Sequence, residues 1–264
     1  MRHHGRVRHE RTTSERTPPR GGYHHGDLRN ALSAAAAELA REGGPEAVVL
    51  REAARRVGVS PTAAYRHFEN HADLLTAVKH EALADLADAL AAAVAEADRT
   101  APSPPTAPGS AGSPAAGSPA AVRAEQQRAR ARLSAIGHGY VDFALAAPGL
   151  FRTAFCRSEI TAHAMAEPGT DSATDSATEP FDLGTQRAYR TLVDVLDSML
   201  AAGLITPARR PGAETTAWAV VHGLATLLLD GPIRGLPDQD RRQMVDVAVA
   251  TLADGLTAGS VTDA

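Results

Sequence analysis

At 264 residues, 44% of them hydrophobic, the chain has the length and composition of a globular protein with a sizeable core. A net charge of −4 argues against a protein that simply coats nucleic acid, and a single cysteine, Cys156, excludes an internal disulfide framework. The charge is unevenly spread. Twelve arginines and no lysine give residues 1–71 a positive excess, whereas the remainder is net acidic. That asymmetry suits a DNA-reading head joined to a different body. No apolar run reaches the length of a membrane span, and the opening segment lacks the apolar stretch of a signal peptide, so a cytoplasmic protein without membrane contact is expected.

Residues 1–22 read as a disordered basic tail that contains Arg6, Arg8, Arg11, Arg16 and Arg20. A first helix is expected over 27–42, with Leu28, Leu32, Ala35 and Leu39 on one face and Gly43-Gly44 as its stop. A short helix follows over 50–57, another starts at Pro61, and a long one covers 71–97 behind the cap Asn70. Residues 99–121, rich in Pro, Ala, Gly and Ser, read as a flexible insert, and residues 166–180, with a TDSA-TDSA repeat, as a polar loop. Further helices are expected near 122–147, 149–165, 181–202, 211–229 and 238–256. Strand-like alternation is nearly absent, so the fold class is all-α.

The segment from Arg51 to Phe68 carries the most information. Ala53, Ala54 and Val57 give the second helix a small packing face, and Gly58 sits where the chain turns sharply, a position suited to positive φ. Ser60 is a good N-cap, and Pro61 follows at the first helical position, where its missing N–H does no harm. The next helix is expected to run two turns, with Ala64 and Phe68 inward and Thr62, Ala63 and Arg66 outward. Turn, cap, proline and basic flank together describe a helix-turn-helix with a short recognition helix.

From Tyr23 to Leu75 the chain resembles the N-terminal domain of the TetR/AcrR family of regulators. The matching stretches are GDLRNAL at 26–32, LREAARRVGVSPTAAYRHFEN at 50–70 and HADLLTAV at 71–78. YHHGDLR at 23–29 and AWAVVHGLA at 217–225 resemble one branch of that family, marked by a Trp-His-Gly signature at Trp218, His222 and Gly223. The resemblance implies a DNA-binding domain over 23–70 and a helical effector-binding and dimerisation domain over 71–264. It further implies phosphate contacts by Tyr65 and His67, base-edge contacts by Thr62 and Ala63 with Ser60 beside them, and a base or phosphate contact by Arg51. Arg66 and His71 complete the implied DNA-facing set. Two positions depart from the family pattern: Val49 stands where a capping Thr is usual, and His71 where Lys is usual. Both weaken the backbone grip, and the arginines of the tail are a candidate compensation. A single short recognition helix reads few bases, so a homodimer on an imperfect palindromic operator is expected.

Most of the aromatic residues follow the insert. The run GYVDFALAAPGLFRTAF places Tyr140, Phe143, Phe151 and Phe155 around a Pro-Gly break, as in the wall of an apolar cavity. Trp218, His138, His163 and His222 are added as candidate ligand contacts. Plain core packing is the competing account of each. The last two helices are implied as the dimer interface. Ala217, Val220, Val221, Leu224, Leu227 and Leu228 make the first of them apolar nearly all round, more than one chain is expected to bury. The expected function is a repressor released from its operator by a small, largely apolar effector, with no cofactor. Metal sensing by His3, His4, His9, His24 and His25 is an alternative, as is a role as activator. No H-E-x-x-H, Walker A, G-x-S-x-G, G-x-G-x-x-G or paired-Cys motif is present, so an enzyme is not expected.

Overall fold

The computed structural model describes residues 25–101, 117–156 and 187–257. The arginines of the tail, His3, His4, His9, His24, His163 and the TDSA loop lie outside the described residues.

An alanine-rich run with high helix propensity forms α1 (His25–Gly43), which buries Leu32, Ala36, Leu39 and Ala40 and ends where the Gly44 amide bonds the Ala40 carbonyl at 2.8 Å. A 3₁₀ turn over Pro45–Ala47 leads to α2 (Leu50–Val57) and α3 (Pro61–Ala64). Helix α4 (His71–Thr100) is 30 residues long, so it extends about 45 Å at 1.5 Å per residue. Its cap is reciprocal. Asn70 Oδ1 accepts the Asp73 amide at 2.9 Å, and Asp73 Oδ2 accepts the Glu69 amide at 3.3 Å.

Helix α5 (Pro119–Ala146) starts three residues before the expected position, because Ser118 and Pro119 form a cap and first turn of the same kind as Ser60 and Pro61. Proline then separates α5 from α6 (Pro148–Phe155), since Pro148 has no amide with which to continue the ladder. Helices α7 (Arg187–Ala201), α8 (Ala213–Leu229) and α9 (Asp238–Thr257) complete the described chain. All described secondary structure is helical. One hydrophobic core runs without a break from Leu32 in α1 to Leu256 in α9.

The short α6 is held from several sides. Its first turn rests on the end of α1: a Cβ at Gly149 would lie 2.0 Å from the Ala40 carbonyl oxygen and 2.8 Å from that of Arg41. Only glycine permits this approach, in which the positive start of one helix meets the negative end of another. Lys79, the single lysine of the chain, donates from α4 to the Cys156 carbonyl at 2.6 Å, just past the end of α6. Arg152 makes a two-point pair with Asp230 at the end of α8, at 2.5 and 3.2 Å.

The contact at Gly149 generates a test. Gly149→Ala must force α6 away from α1, and strain of this kind costs about 1–3 kcal/mol. The urea unfolding midpoint is expected to fall by the corresponding amount with the slope of the transition unchanged. An unaltered midpoint would mean that the seam opens at no cost.

Candidate DNA-reading surface and effector cavity

The turn between α2 and α3 forms as its residue types dictate. Gly58 adopts φ 77°, the left-handed conformation, and the Val59 amide bonds the Ala54 carbonyl at 3.0 Å, closing the end of α2. Ser60 Oγ accepts the Ala63 amide at 3.2 Å. Ala64 and Phe68 are fully buried beneath the motif. The recognition helix is shorter than the two turns expected. Beyond Ala64 the amides of Arg66 and His67 switch to carbonyls three residues back, at 3.3 and 2.9 Å, tightening the chain. The tightening lets Phe68 enter the core before Asn70 restarts the chain as α4.

Arg51, Ser60, Thr62, Tyr65, Arg66 and His71 are exposed on this surface, Tyr65 at 47%, whereas Ala63 and His67 are half-buried. The arginines of α2 divide into two kinds. Arg55 is bound to Glu52 at 2.9 and 2.6 Å, and Arg56 to Glu42 at 3.0 and 2.6 Å. Those hydrogen bonds hold both carboxyls below their ordinary range. Arg51 and Arg66 have no ion pair among the described residues, which leaves their guanidinium groups available to phosphate or guanine. Val49 stands at the N-cap of α2, 46% exposed, and supplies no side-chain hydrogen bond.

The second feature is a cavity of about 70 Å³ in the body, walled by side chains from all six helices α4 to α9. Leu83, Leu86 and Leu90 of α4 line one side, and Tyr140, Phe155 and Trp218 face it from α5, α6 and α8. No charged side chain lines it. Two of the polar side chains that line it, Trp218 and Tyr140, are engaged with one another and with His222 behind them. Trp218 Nε1 donates to Tyr140 Oη at 3.1 Å, and Tyr140 Oη lies 2.9 Å from His222 Nδ1. Tryptophan can only donate, so the phenol accepts from it and passes its own proton to His222 Nδ1. That assigns His222 as the neutral Nε2–H tautomer, in keeping with a pKa pushed down by burial. Burial likewise pushes the Tyr140 phenol up.

Of the residues singled out from the sequence, Tyr140, Phe155 and Trp218 line the cavity. Phe151 and His222 stand behind them, with ring centroids 5.0 and 4.8 Å from that of Phe155. Phe143 packs half-buried against the core. His138 is elsewhere, 2.8 Å from Asp246 of α9. The α4 leucines escaped sequence reasoning. An apolar face on a long helix signals burial, and only the packing reveals that part of it borders a void. Among the described residues no three His, Cys, Asp or Glu side chains gather as a metal site requires, and no helix is long and apolar enough to cross a membrane.

Comparison with known proteins finds two family models that match separate stretches of the chain. Residues 32–78 match the model of the bacterial regulatory proteins of the tetR family, and residues 133–252 match a tetracyclin repressor-like C-terminal domain. Among solved structures, a protein of unknown function from Rhodococcus sp. RHA1 is 28% identical over 90% of this chain and 100% of that chain, with a TM-score of 0.60. The regulatory-protein candidate SCO4313 is 20% identical over 86% of this chain and 95% of its own, with a TM-score of 0.52. The TetR transcriptional regulator SCO0520 from Streptomyces coelicolor is 22% identical over 87% of this chain and 98% of its own, at a TM-score of 0.41. No curated protein matches the chain. With its head and much of its body each matched, the chain belongs to the TetR family of bacterial DNA-binding transcription regulators.

Proposed function

We propose that the protein is a homodimeric repressor that leaves a palindromic operator when a small, uncharged, largely apolar effector enters the cavity of the body. The observation that carries this reading is the double role of α4. Its first turn lies one short turn of chain after the recognition helix, and Leu83, Leu86 and Leu90, about 18–28 Å further along the same helix, form a wall of the cavity. The absence of charge from the lining sets the chemical class of the effector, because an ion would be stripped of water there without a partner. At about 70 Å³ the space is smaller than the several hundred Å³ of typical ligand sites. Entry therefore requires the surrounding helices to part, and a ligand that prefers the parted arrangement shifts the population away from the closed one. Movement of α4 would re-aim Thr62, Tyr65 and Arg66 against the duplex.

The dimer reading rests on α8 and α9. One chain buries Ala217, Ala225 and Leu228 by itself, more of α8 than its composition suggested, yet Ala219, Gly223 and Leu227 remain outward. A Cβ at Gly223 would meet nothing within 4 Å in its own chain. Beside this stripe runs a groove between the two helices lined by Val220, Ala248, Thr251 and Gly255. The small outward residues Ala219 and Gly223, with exposed Leu227 and the largely apolar groove beside them, suit close approach by the same helices of a second copy.

Two experiments test these statements. Duplexes from the region flanking the gene are expected to show one protected imperfect palindrome, and any neutral compound that raises the unfolding temperature is expected to release it. Ala217→Leu, which fills the cavity, should abolish both the stabilisation and the release. A compound that stabilises the protein and leaves the DNA complex intact would contradict the coupling. Gly223→Arg places a charge in the outward stripe and is expected to give monomers in sedimentation, with the helical circular dichroism retained. Dimers that survive it would exclude this face as the interface.

A further inference from the structure

We infer that Arg29, on α1 and outside the recognition motif, is a positioning residue for DNA binding, which fixes the turn that presents Tyr65, Arg66, His67 and His71. The inference rests on the reading of those residues as DNA contacts. Its physical basis is that one side chain reaches residues 67, 68 and 73 across the turn between α3 and α4. The chain there has left α3 and not yet entered α4, and its amides from Tyr65 to Phe68 bond back to α3 carbonyls while that of Glu69 bonds Asp73. Arg29 Nη1 donates to the His67 carbonyl oxygen. The same guanidinium lies 4.3 Å from the ring centroid of Phe68, so its flat face covers a ring that is otherwise fully buried. Nη2 stands 3.4 Å from Asp73 Oδ1, while Asp73 Oδ2 accepts the Glu69 amide. One planar group on α1 thus engages residues 67 and 68 directly and residue 69 through Asp73.

The magnitudes separate this role from a contribution to the fold. The Arg29 and Asp73 side chains are 47% and 35% exposed. Exposed pairs of this kind add little to stability because solvent screens them. The core of the head is apolar, with Leu32, Ala64, Phe68 and Leu74 fully buried. What Arg29 restricts is local: the carbonyl, the ring plane and the capping carboxylate that together set where the turn lies against a duplex. Phosphate contacts depend on that placement, since they set the register of the protein on DNA. Lysine does not substitute, because an ammonium cannot lie flat on Phe68 and still reach both oxygens in the fixed fork of arginine.

The test uses the full chain and a random-sequence duplex of about 30 base pairs, titrated by fluorescence anisotropy across about 50–200 mM salt. Arg29→Lys and Arg29→Met are each expected to weaken binding about tenfold, equivalent to about 1.4 kcal/mol. The dependence of affinity on salt and the unfolding temperature should stay close to those of the parent. In a Tyr65→Phe, His67→Ala background, Arg29→Met should cost much less, because the contacts that it positions are already gone. Full affinity in Arg29→Lys, with a salt slope lowered by about 0.9 in Arg29→Met, would overturn the inference in favour of a direct phosphate contact. Unchanged binding in both variants, additive losses, or losses that follow the unfolding temperature would overturn it as well. Failure of the parent chain itself to bind the duplex at low salt would instead remove the DNA-contact reading on which it rests.

Discussion

The structure depends on one constraint: the head and the body share a core because they share α4. Leu74, Leu75 and Val78 of that helix are buried in the head, where α4 packs against α1, and Leu83, Leu86 and Leu90 continue the buried face into the body. No polar layer interrupts the run, and the buried cluster extends from α1 to α9. A protein arranged in this way has no free hinge between its parts. Packed interiors resist gradual deformation, so a change in the body must either be absorbed by neighbouring helices or carried along α4 to the recognition helix.

Helix α6 limits how it can be absorbed. It contributes Phe155 to the cavity wall, and it is seated on the end of α1 at Gly149, tied to α4 by Lys79 and paired with the end of α8 through Arg152 and Asp230. A shift of Phe155 therefore meets resistance from the head as well as from the body. The Trp218–Tyr140–His222 chain, packed beside Phe155, stiffens the same side, since its indole and phenol protons each have a defined acceptor. Away from this side the lining is chiefly aliphatic and yields to shape. The cavity thus combines a firm polar edge with an adaptable apolar interior.

The helix-turn-helix was legible in the sequence because its signals are local. Gly58, Ser60 and Pro61 each act through their own backbone or one neighbouring amide, and each behaves in the structure as its residue type dictates. The same logic, applied to Ser118 and Pro119, would have placed the start of α5 correctly, but the surrounding low-complexity composition masked it. The length of α3 was less legible. Nothing within Tyr65–His67 forbids a second turn, and the tightening there is imposed by Phe68 and the restart at Asn70. The cavity was legible only in part. Its aromatic members stood out by type, whereas Leu83, Leu86, Leu90 and Val249 are ordinary core residues until six helices are brought together. His138 and Arg29 show the same limit for polar groups, because their partners Asp246, Phe68 and Asp73 lie far away in sequence.

The central claim, a single core that carries events in the body to the head, is tested most directly by native-state hydrogen exchange along α4. The account predicts that amides from Leu74 to Leu90 exchange with one common free energy, shared by Leu32–Ala40 in the head and Leu133–Val141 in the body, because all of them open in one event. Exchange of the head amides through a separate opening of much lower free energy, with the body still protected, would contradict it.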